Sequence, residues 1–317
     1  MTEEKTAAML IGFGGPQSAV EVRPFLESVL EGIRVPQKRF DEVLRHYEVI
    51  GGVSPYCEAS YRQKEALKRW LVSQKVSLPV GVGFRHSKPT FREAFKAFKK
   101  YRVKKVIGFV LASFRSYSSF EKYQIKILEG RHEAKADDIS ITYTDFFAKH
   151  PLYLEAQAEQ ALETIKSFSE EEKRGAYFLF SAHSIPGSLC EESCQKISEW
   201  HCYGSQFYEA SACVAKRLSL TSNAWSVAYQ SRSGNAGDFW LEPNVQDAIR
   251  RLETKKYRRV LLIPIGFLCD NVEVIYDLDV EVRQCCETLG FQYFRASTVS
   301  DHPKFIEMIG RQILEKI

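Results

Sequence analysis

Long apolar runs are missing from this chain of 317 residues: none approaches the roughly 20 residues that a membrane-spanning helix requires. The start, Met1 to Ala8, carries Glu3 and Glu4 ahead of any apolar stretch, so neither a secretory leader nor an anchor is expected. Charge of a single sign is equally scarce. Lys and Arg total 44 against 40 Asp and Glu, and the resulting +4 is spread along the chain, which argues against nucleic acid as a partner. A small acidic ligand or an anionic membrane surface remains compatible with it. Neither the dinucleotide-binding nor the Walker spacing of glycines occurs. The nearest run, Gly14-Gly15-Pro16, suits a tight turn that lets a flat ligand or a neighbouring backbone come close. Eight cysteines without a leader should face a reducing cytoplasm, where clustered thiols bind metal more often than they form disulfides.

What is present is the composition of a folded globular protein, 44% hydrophobic and 26% charged. The length predicts two domains or one large two-lobed α/β unit. Short apolar runs alternate with amphipathic stretches, the pattern of βα units around a parallel sheet. Strands are predicted at Ala7 to Phe13, Val80 to Phe84, Lys105 to Leu111, Ile139 to Tyr143, Ala176 to Phe180, Ala224 to Tyr229, Val260 to Ile263 and Phe291 to Arg295. Helices predicted between them include Ser54 to Ser73, Thr90 to Tyr101, Pro151 to Ser167, Asn244 to Lys255, Val274 to Leu289 and Pro303 to Lys316. An internal echo accompanies this pattern: Lys99-Lys100-Tyr101-Arg102, a strand and Ile107-Gly108-Phe109 recur as Lys255-Lys256-Tyr257-Arg258, a strand and Ile265-Gly266-Phe267. A duplicated lobe accounts for it, with the boundary near Lys149 to Pro151, giving lobes 1–149 and 150–317.

Ligands of open parallel sheets sit beyond the carboxyl ends of the strands, which directs attention to the segments that follow them. His183 stands at such an end within Ser181-Ala182-His183-Ser184-Ile185-Pro186, and imidazole both ligates divalent metals and accepts protons near neutral pH. Glu273, Asp277 and Glu281 are spaced four apart and form one acidic stripe on a helix. Such a row, entered from a strand end, attracts and partly dehydrates a divalent cation. Cys190, Cys194, Cys202 and Cys213 fall within 24 residues, while Cys57, Cys269, Cys285 and Cys286 are scattered. Zinc, a [2Fe–2S] cluster and unliganded thiols are all compatible with that spacing.

Taken together, the motifs resemble those of the ferrochelatases, enzymes that insert Fe²⁺ into a porphyrin in haem synthesis. The resemblance runs almost end to end. It rests on Gly14-Gly15-Pro16, Gly51-Gly52-Val53-Ser54-Pro55, Gly83-Phe84-Arg85 with Pro89, and the His183 segment from Phe180 to Pro186. It continues through Tyr229-Gln230-Ser231-Arg232 with Trp240 and Pro243, and Pro264-Ile265-Gly266-Phe267 through Glu273 to Asp279.

The resemblance implies two Rossmann-like α/β lobes, each a parallel sheet flanked by helices, with the porphyrin in a cleft between them. It implies His183 and Glu273 as the catalytic pair in contact with iron, Asp277 and Glu281 as an acidic path for the metal, and Phe13, Ser54, Pro264 and Phe267 against the porphyrin. Coproporphyrin-type members carry Tyr where this chain has Phe13, which favours protoporphyrin. Glu48 and Val49 replace the basic pair that precedes the Gly-Gly motif in animal members, and Asn271 stands where His is frequent. A minority of bacterial members hold a [2Fe–2S] cluster on an internal segment just after the histidine motif, which implies Cys190, Cys194, Cys202 and Cys213 as ligands. The expected protein is therefore a cytoplasmic ferrochelatase, soluble or peripheral to the inner face of the membrane, with porphyrin and Fe²⁺ as substrates and no nucleic-acid partner. Insertion of cobalt or nickel, another tetrapyrrole such as coproporphyrin, and a non-catalytic metal or redox sensor on the same fold are the alternatives.

Overall fold

A computed structural model describes residues 5–32, 35–190, 202–232, 239–252 and 256–317. All eight expected strands form: β1 (Thr6–Gly12), β2 (Val80–Phe84), β3 (Lys105–Val110), β4 (Ser140–Tyr143), β5 (Ala176–His183), β6 (Trp225–Gln230), β7 (Arg259–Ile263) and β8 (Gln292–Arg295). They make two parallel sheets of four, ordered β2-β1-β3-β4 and β6-β5-β7-β8. The two orders are the same when each sheet is counted from its own first strand. The basic echo at Lys99–Arg102 and Lys256–Arg258 precedes β3 and β7, which hold equivalent places, so the repeated sequence marks a repeated topology.

Central strands read as continuous apolar runs because helices cover both faces of a parallel sheet. In β1 every residue after Thr6 is buried, and in β5 every residue except the last, His183. Each sheet has its own core. Met9, Ile11, Phe91, Phe95, Phe98, Val106 and Ile127 belong to the first, and Leu179, Val260, Leu262, Val274, Leu278 and Cys286 to the second.

The chain divides into unit 1 (Met1–Ala112, Tyr117–Phe146, Ser300–Ile317) and unit 2 (Ser113–Ser116, Phe147–Val299). The contiguous lobes 1–149 and 150–317 are corrected by this division. Its main crossing, at Phe146 to Phe147, lies three residues ahead of the expected one, but the last helix, Pro303–Leu314, joins unit 1. Its apolar face is the reason: Phe305 meets Phe109 edge-on, and Gly310 lies so close to Trp70 of helix Tyr56–Ser73 that a side chain has no room. No described helix is long and apolar enough to cross a membrane.

The Gly14-Gly15-Pro16 turn approaches protein. A Cβ on Gly14, at φ +97°, would lie 2.6 Å from Ser87 Oγ, and one on Gly15 2.7 Å from Ser54. Ser87 Oγ accepts from Gly15 N and donates to Gly15 O, both at 2.9 Å, so the glycines let the segments after β1 and β2 lock together.

Candidate active site

Burial along β5 ends where its last side chain, His183, emerges at the carboxyl edge of the second sheet. The neighbouring strand ends come level with it: His183 is in register with Gln230 at the end of β6. After β7 the chain turns back tightly, because Gly266 has no Cβ to strike Ala182, and Gly266 N donates to Ser181 O at 3.0 Å. That turn leads to Asn271, whose side-chain oxygen accepts from Val274 N at 2.9 Å and starts the helical segment Glu273–Val282. This segment is a π-helix, where an α-helix was expected over Val274 to Leu289. Wide i→i+5 turns of this kind recur at functional sites, and the four-residue spacing of Glu273, Asp277 and Glu281 still keeps them close to one face.

The fold brings His183 Nε2 and Glu273 Oε1 to 3.2 Å, each side chain about one-third exposed (33% and 35%). On the other side of the ring, Nδ1 is bonded to Ser184 O; a carbonyl only accepts, so Nδ1 carries a hydrogen and Nε2 faces the carboxylate. Burial disfavours a charged imidazole, but the Glu273 carboxylate beside it outweighs that and lifts the His183 pKa to about 9. Burial likewise raises Glu273, and the His183 charge and hydrogen bond, with help from Asn271, overcome it and hold the carboxyl below its usual value. At rest the pair is imidazolium and carboxylate sharing one proton.

Asp277 differs. Burial dominates, Glu273 and Glu281 add negative charge, and a hydrogen bond from Ser231 opposes them only in part, so its pKa rises to about 7. Ser231 donates from a backbone at φ +60°, a conformation uncommon for a side-chain-bearing residue. Glu281 stands partly buried one step further along the row.

Residues to which the sequence assigned no role support this pair. Gln230 Nε2 donates to Glu273 O at 3.0 Å, and Ser181 Oγ donates to Gln230 Oε1 at 2.9 Å, a buried chain under the glutamate backbone. Arg295, with 14% of its side chain exposed, binds Asp270 at 3.0 Å and Asp279 at 2.8 Å, tying the turn before Glu273 to the π-helix. Tyr203 OH donates to His183 O at 2.8 Å.

The expected porphyrin contacts fall two in each unit. Phe13, just past β1, lies half-buried against His86, ring centroids 4.7 Å apart. Ser54 is buried beneath Gly15, its oxygen accepting from Tyr56 N. Pro264 is buried in the turn after β7, and Phe267 belongs to the second core.

Among the cysteines, the sulfurs of Cys190 and Cys202 are 3.4 Å apart. Two thiolates on one tetrahedral metal at about 2.3 Å would sit roughly 3.8 Å apart, so this pair fits a shared metal. Cys194 lies outside the described residues. Cys213 corrects the expectation of four ligands to one cluster: Cys202 caps helix Tyr203–Arg217, and Cys213 lies on it eleven residues on, about 16 Å of rise away. That is too far for one small cluster. Among the described residues no three His, Cys, Asp or Glu side chains form a group that could hold a metal ion.

The site thus joins a histidine at a strand end to a carboxylate at the head of a half-buried acidic row, and the known proteins that carry this sequence pattern decide its family. The ferrochelatase family pattern matches residues 5–317. The chain belongs to the ferrochelatase family. It is a metal chelatase, a lyase of haem and porphyrin biosynthesis acting on a porphyrin and a metal ion. A ferrochelatase of Rhodopirellula baltica is 33% identical over 310 residues, 98% of this chain and 85% of that one. The coproporphyrin III ferrochelatase of Corynebacterium glutamicum is 31% identical over 96% of this chain and 82% of its own. A ferrochelatase of Deinococcus radiodurans is 30% identical over 100% and 98%. In structure the chain is similar to the sirohydrochlorin chelatase SirB of Bacillus subtilis subspecies spizizenii in complex with cobalt. There the TM-score is 0.57 at 12% identity, over 98% of this chain and 94% of that one, a likeness of fold. This member of the ferrochelatase family therefore has the two-sheet architecture expected of a chelatase.

Proposed function

We propose that this ferrochelatase inserts Fe²⁺ into protoporphyrin IX, with His183 and Glu273 as the groups that meet the metal and the pyrrole protons. The observation that carries the reading is the 3.2 Å pair of His183 Nε2 and Glu273 Oε1 at the carboxyl ends of the second sheet. Insertion forms iron–nitrogen bonds and releases two protons from the pyrrole nitrogens. Four of the metal's bonds are to be made by the macrocycle, so the protein needs only a few weak contacts to deliver it. Asp277 and Glu281 attract the cation, and the row ends at Glu273. A divalent cation beside an imidazolium drives its proton onto the carboxylates of the acidic row and so to solvent, because like charges at this range favour the neutral ring. The freed nitrogen and the glutamate oxygen then take the two pyrrole protons, in either order, and pass them outward along the acidic row.

Phe13 supports protoporphyrin, since a phenyl ring offers no oxygen to a metal. Coproporphyrin III is the second reading, favoured by the names of several relatives at 28 to 31% identity. Anaerobic single-turnover rates of Fe²⁺ insertion into the two porphyrins decide between them: faster turnover of coproporphyrin III overturns the proposal. Co²⁺ and Ni²⁺ in parallel test the metal.

For the thiols, the reading is an iron–sulfur centre whose ligands include Cys190 and Cys202, and Cys194 within the segment outside the described residues. Cys213 is not among them. Such a centre would supply bonds that order the chain after His183; no step of insertion runs through it.

A further inference from the structure

Five carboxylates fall in the twelve residues from Asp270 to Glu281: Asp270, Glu273, Asp277, Asp279 and Glu281. By residue type alone each of them is a candidate to meet a divalent cation. Their partners separate them. Glu273 pairs with His183, and Asp277 accepts a hydrogen bond from Ser231. Asp270 and Asp279 both turn to Arg295. The Arg295 Nε donates to Asp279 Oδ1 at 2.8 Å, while Nη2 and Nη1 donate to the two oxygens of Asp270 at 3.0 and 3.3 Å. Charge-assisted bonds of this kind are strong, and without the guanidinium two like charges would be left partly buried and unpaired.

The guanidinium is a fixed point because of where it stands. Arg295 is the last residue of β8, in register with Leu262 of β7, the strand from whose end the acidic segment departs. Its Nη1 also donates to Ala296 O at 3.3 Å, and the buried Thr298 donates from Oγ1 to Asp270 Oδ1 at 3.0 Å. The grip brackets Glu273: Asp270 precedes it by three residues and Asp279 follows it by six. Asp279 is two residues from both Asp277 and Glu281, about half a turn of the π-helix, and so lies on the face turned away from the acidic row. Arg283 Nε adds a hydrogen bond to Asp279 O at 3.0 Å. Bonds on that face fix the rotation of the helix about its own axis, and this rotation decides whether Glu273 faces His183.

We infer that Arg295 is a positioning residue for metal insertion: from the end of β8 it grips Asp279 and Asp270 and so holds Glu273 against His183, which makes Asp279 an anchor of the π-helix and not a step on the metal's path. The inference rests on the reading of Glu273 as a group that meets the metal and the pyrrole protons. It adds that the carboxylates of this one segment divide into those that face the chemistry and those that are spent on orienting it.

The test follows anaerobic Fe²⁺ insertion and porphyrin Kd on folded protein, well below the melting temperature of each variant. Arg295→Met should lower kcat by about a hundredfold, the scale expected when a reacting group is displaced by about 1 Å, with the porphyrin Kd unchanged. Arg295→Lys keeps the charge without the planar fork and should recover part of that loss. Asp279→Asn should lower kcat and leave the KM for Fe²⁺ unchanged, the reverse of the split expected of a residue on the metal's path. The double variant Arg295→Met/Asp279→Asn should be no slower than Arg295→Met, because both changes remove one interaction. If Arg295→Met does not fold, Arg295→Lys and Asp279→Asn decide. Wild-type kcat in the folded variants overturns the positioning role. So does a raised KM for Fe²⁺ with kcat kept in Asp279→Asn, or fully additive losses in the double variant. Glu273→Gln is assayed alongside: lost turnover there with normal turnover in the Arg295 variants overturns this inference alone, whereas near wild-type turnover in Glu273→Gln overturns the reading on which it rests.

Discussion

Tyr203 OH donates a 2.8 Å hydrogen bond to the main-chain carbonyl of His183. The tyrosine is buried and directly follows Cys202, whose sulfur touches Cys190, seven residues beyond the histidine. The Tyr203 hydroxyl thus links the residue beside the thiol pair to the strand end that carries His183. Tyr203→Phe should cost about 1 kcal/mol of stability, as for one buried hydrogen bond, and lower kcat while leaving the porphyrin Kd unchanged. Chemical denaturation and steady-state insertion assays measure the two effects; an unchanged kcat would remove the phenol from any part in positioning His183.

His183→Ala should reduce metal insertion by about a thousandfold, within the range for loss of a general acid–base group, with porphyrin binding largely kept. Glu273→Gln should match it, since the amide keeps the shape without the charge. A His183→Ala protein retaining near wild-type turnover would take the imidazole out of the mechanism.

The same pair links stability to pH. The His183 pKa rises from 6.5 to about 9 on folding, so its contribution is complete below pH 6.5 and is lost as pH climbs through about 9. Glu273, with its value lowered from 4.5, contributes fully above pH 4.5 and loses that as pH falls. The pair is therefore at full strength from pH 4.5 to 6.5. Wild-type melting temperature should drop between pH 6.5 and 9.5 by more than that of His183→Gln; parallel curves would contradict the ion pair.

Asp277, raised from 3.8 to about 7, is protonated and uncharged in mild acid and attracts a cation only as pH rises through about 7. The apparent KM for Fe²⁺ should fall across that range in wild type. Asp277→Asn should hold a high KM at every pH and keep most of kcat at saturating metal, the mark of a conduit. Equal loss of kcat in Asp277→Asn and Glu273→Gln would place Asp277 among the reacting groups.

Replacing Cys190 or Cys202 with Ser should give protein without the visible absorption of an iron–sulfur centre, whereas Cys213→Ser should keep the colour. Stoichiometric zinc without inorganic sulfide in anaerobically purified protein would overturn the cluster and leave the chelatase chemistry untouched.

All eight strands were readable because a parallel strand covered on both faces is a short apolar run bounded by breakers, a local signal. Helices Gln37–Val49 and Lys122–Glu133 carried less of one, since the first buries Tyr47 and the second Tyr123, Ile127 and Gly130, too few for an unbroken apolar stripe. His183 and Glu273 stood out by residue type, strand-end position and resemblance. Gln230 and Ser231 lay within a motif of the resemblance but had no role there, and Arg295 lay in none, because an amide, a hydroxyl and a guanidinium are ordinary surface residues until their partners are known.

The sequence alone determined the alternation of strand and helix, the repeat, and the two ionisable groups of the pair, since each follows from neighbours within one element. Tertiary structure alone decided that His183 and Glu273, ninety residues apart, meet at 3.2 Å, and that Asp277 is buried enough to titrate near pH 7. It also separated Cys213 from Cys202 by three helical turns. Distance, burial and the pairing of charges are set by the packing of remote segments, and they decide what a carboxylate, a thiol or a guanidinium can do.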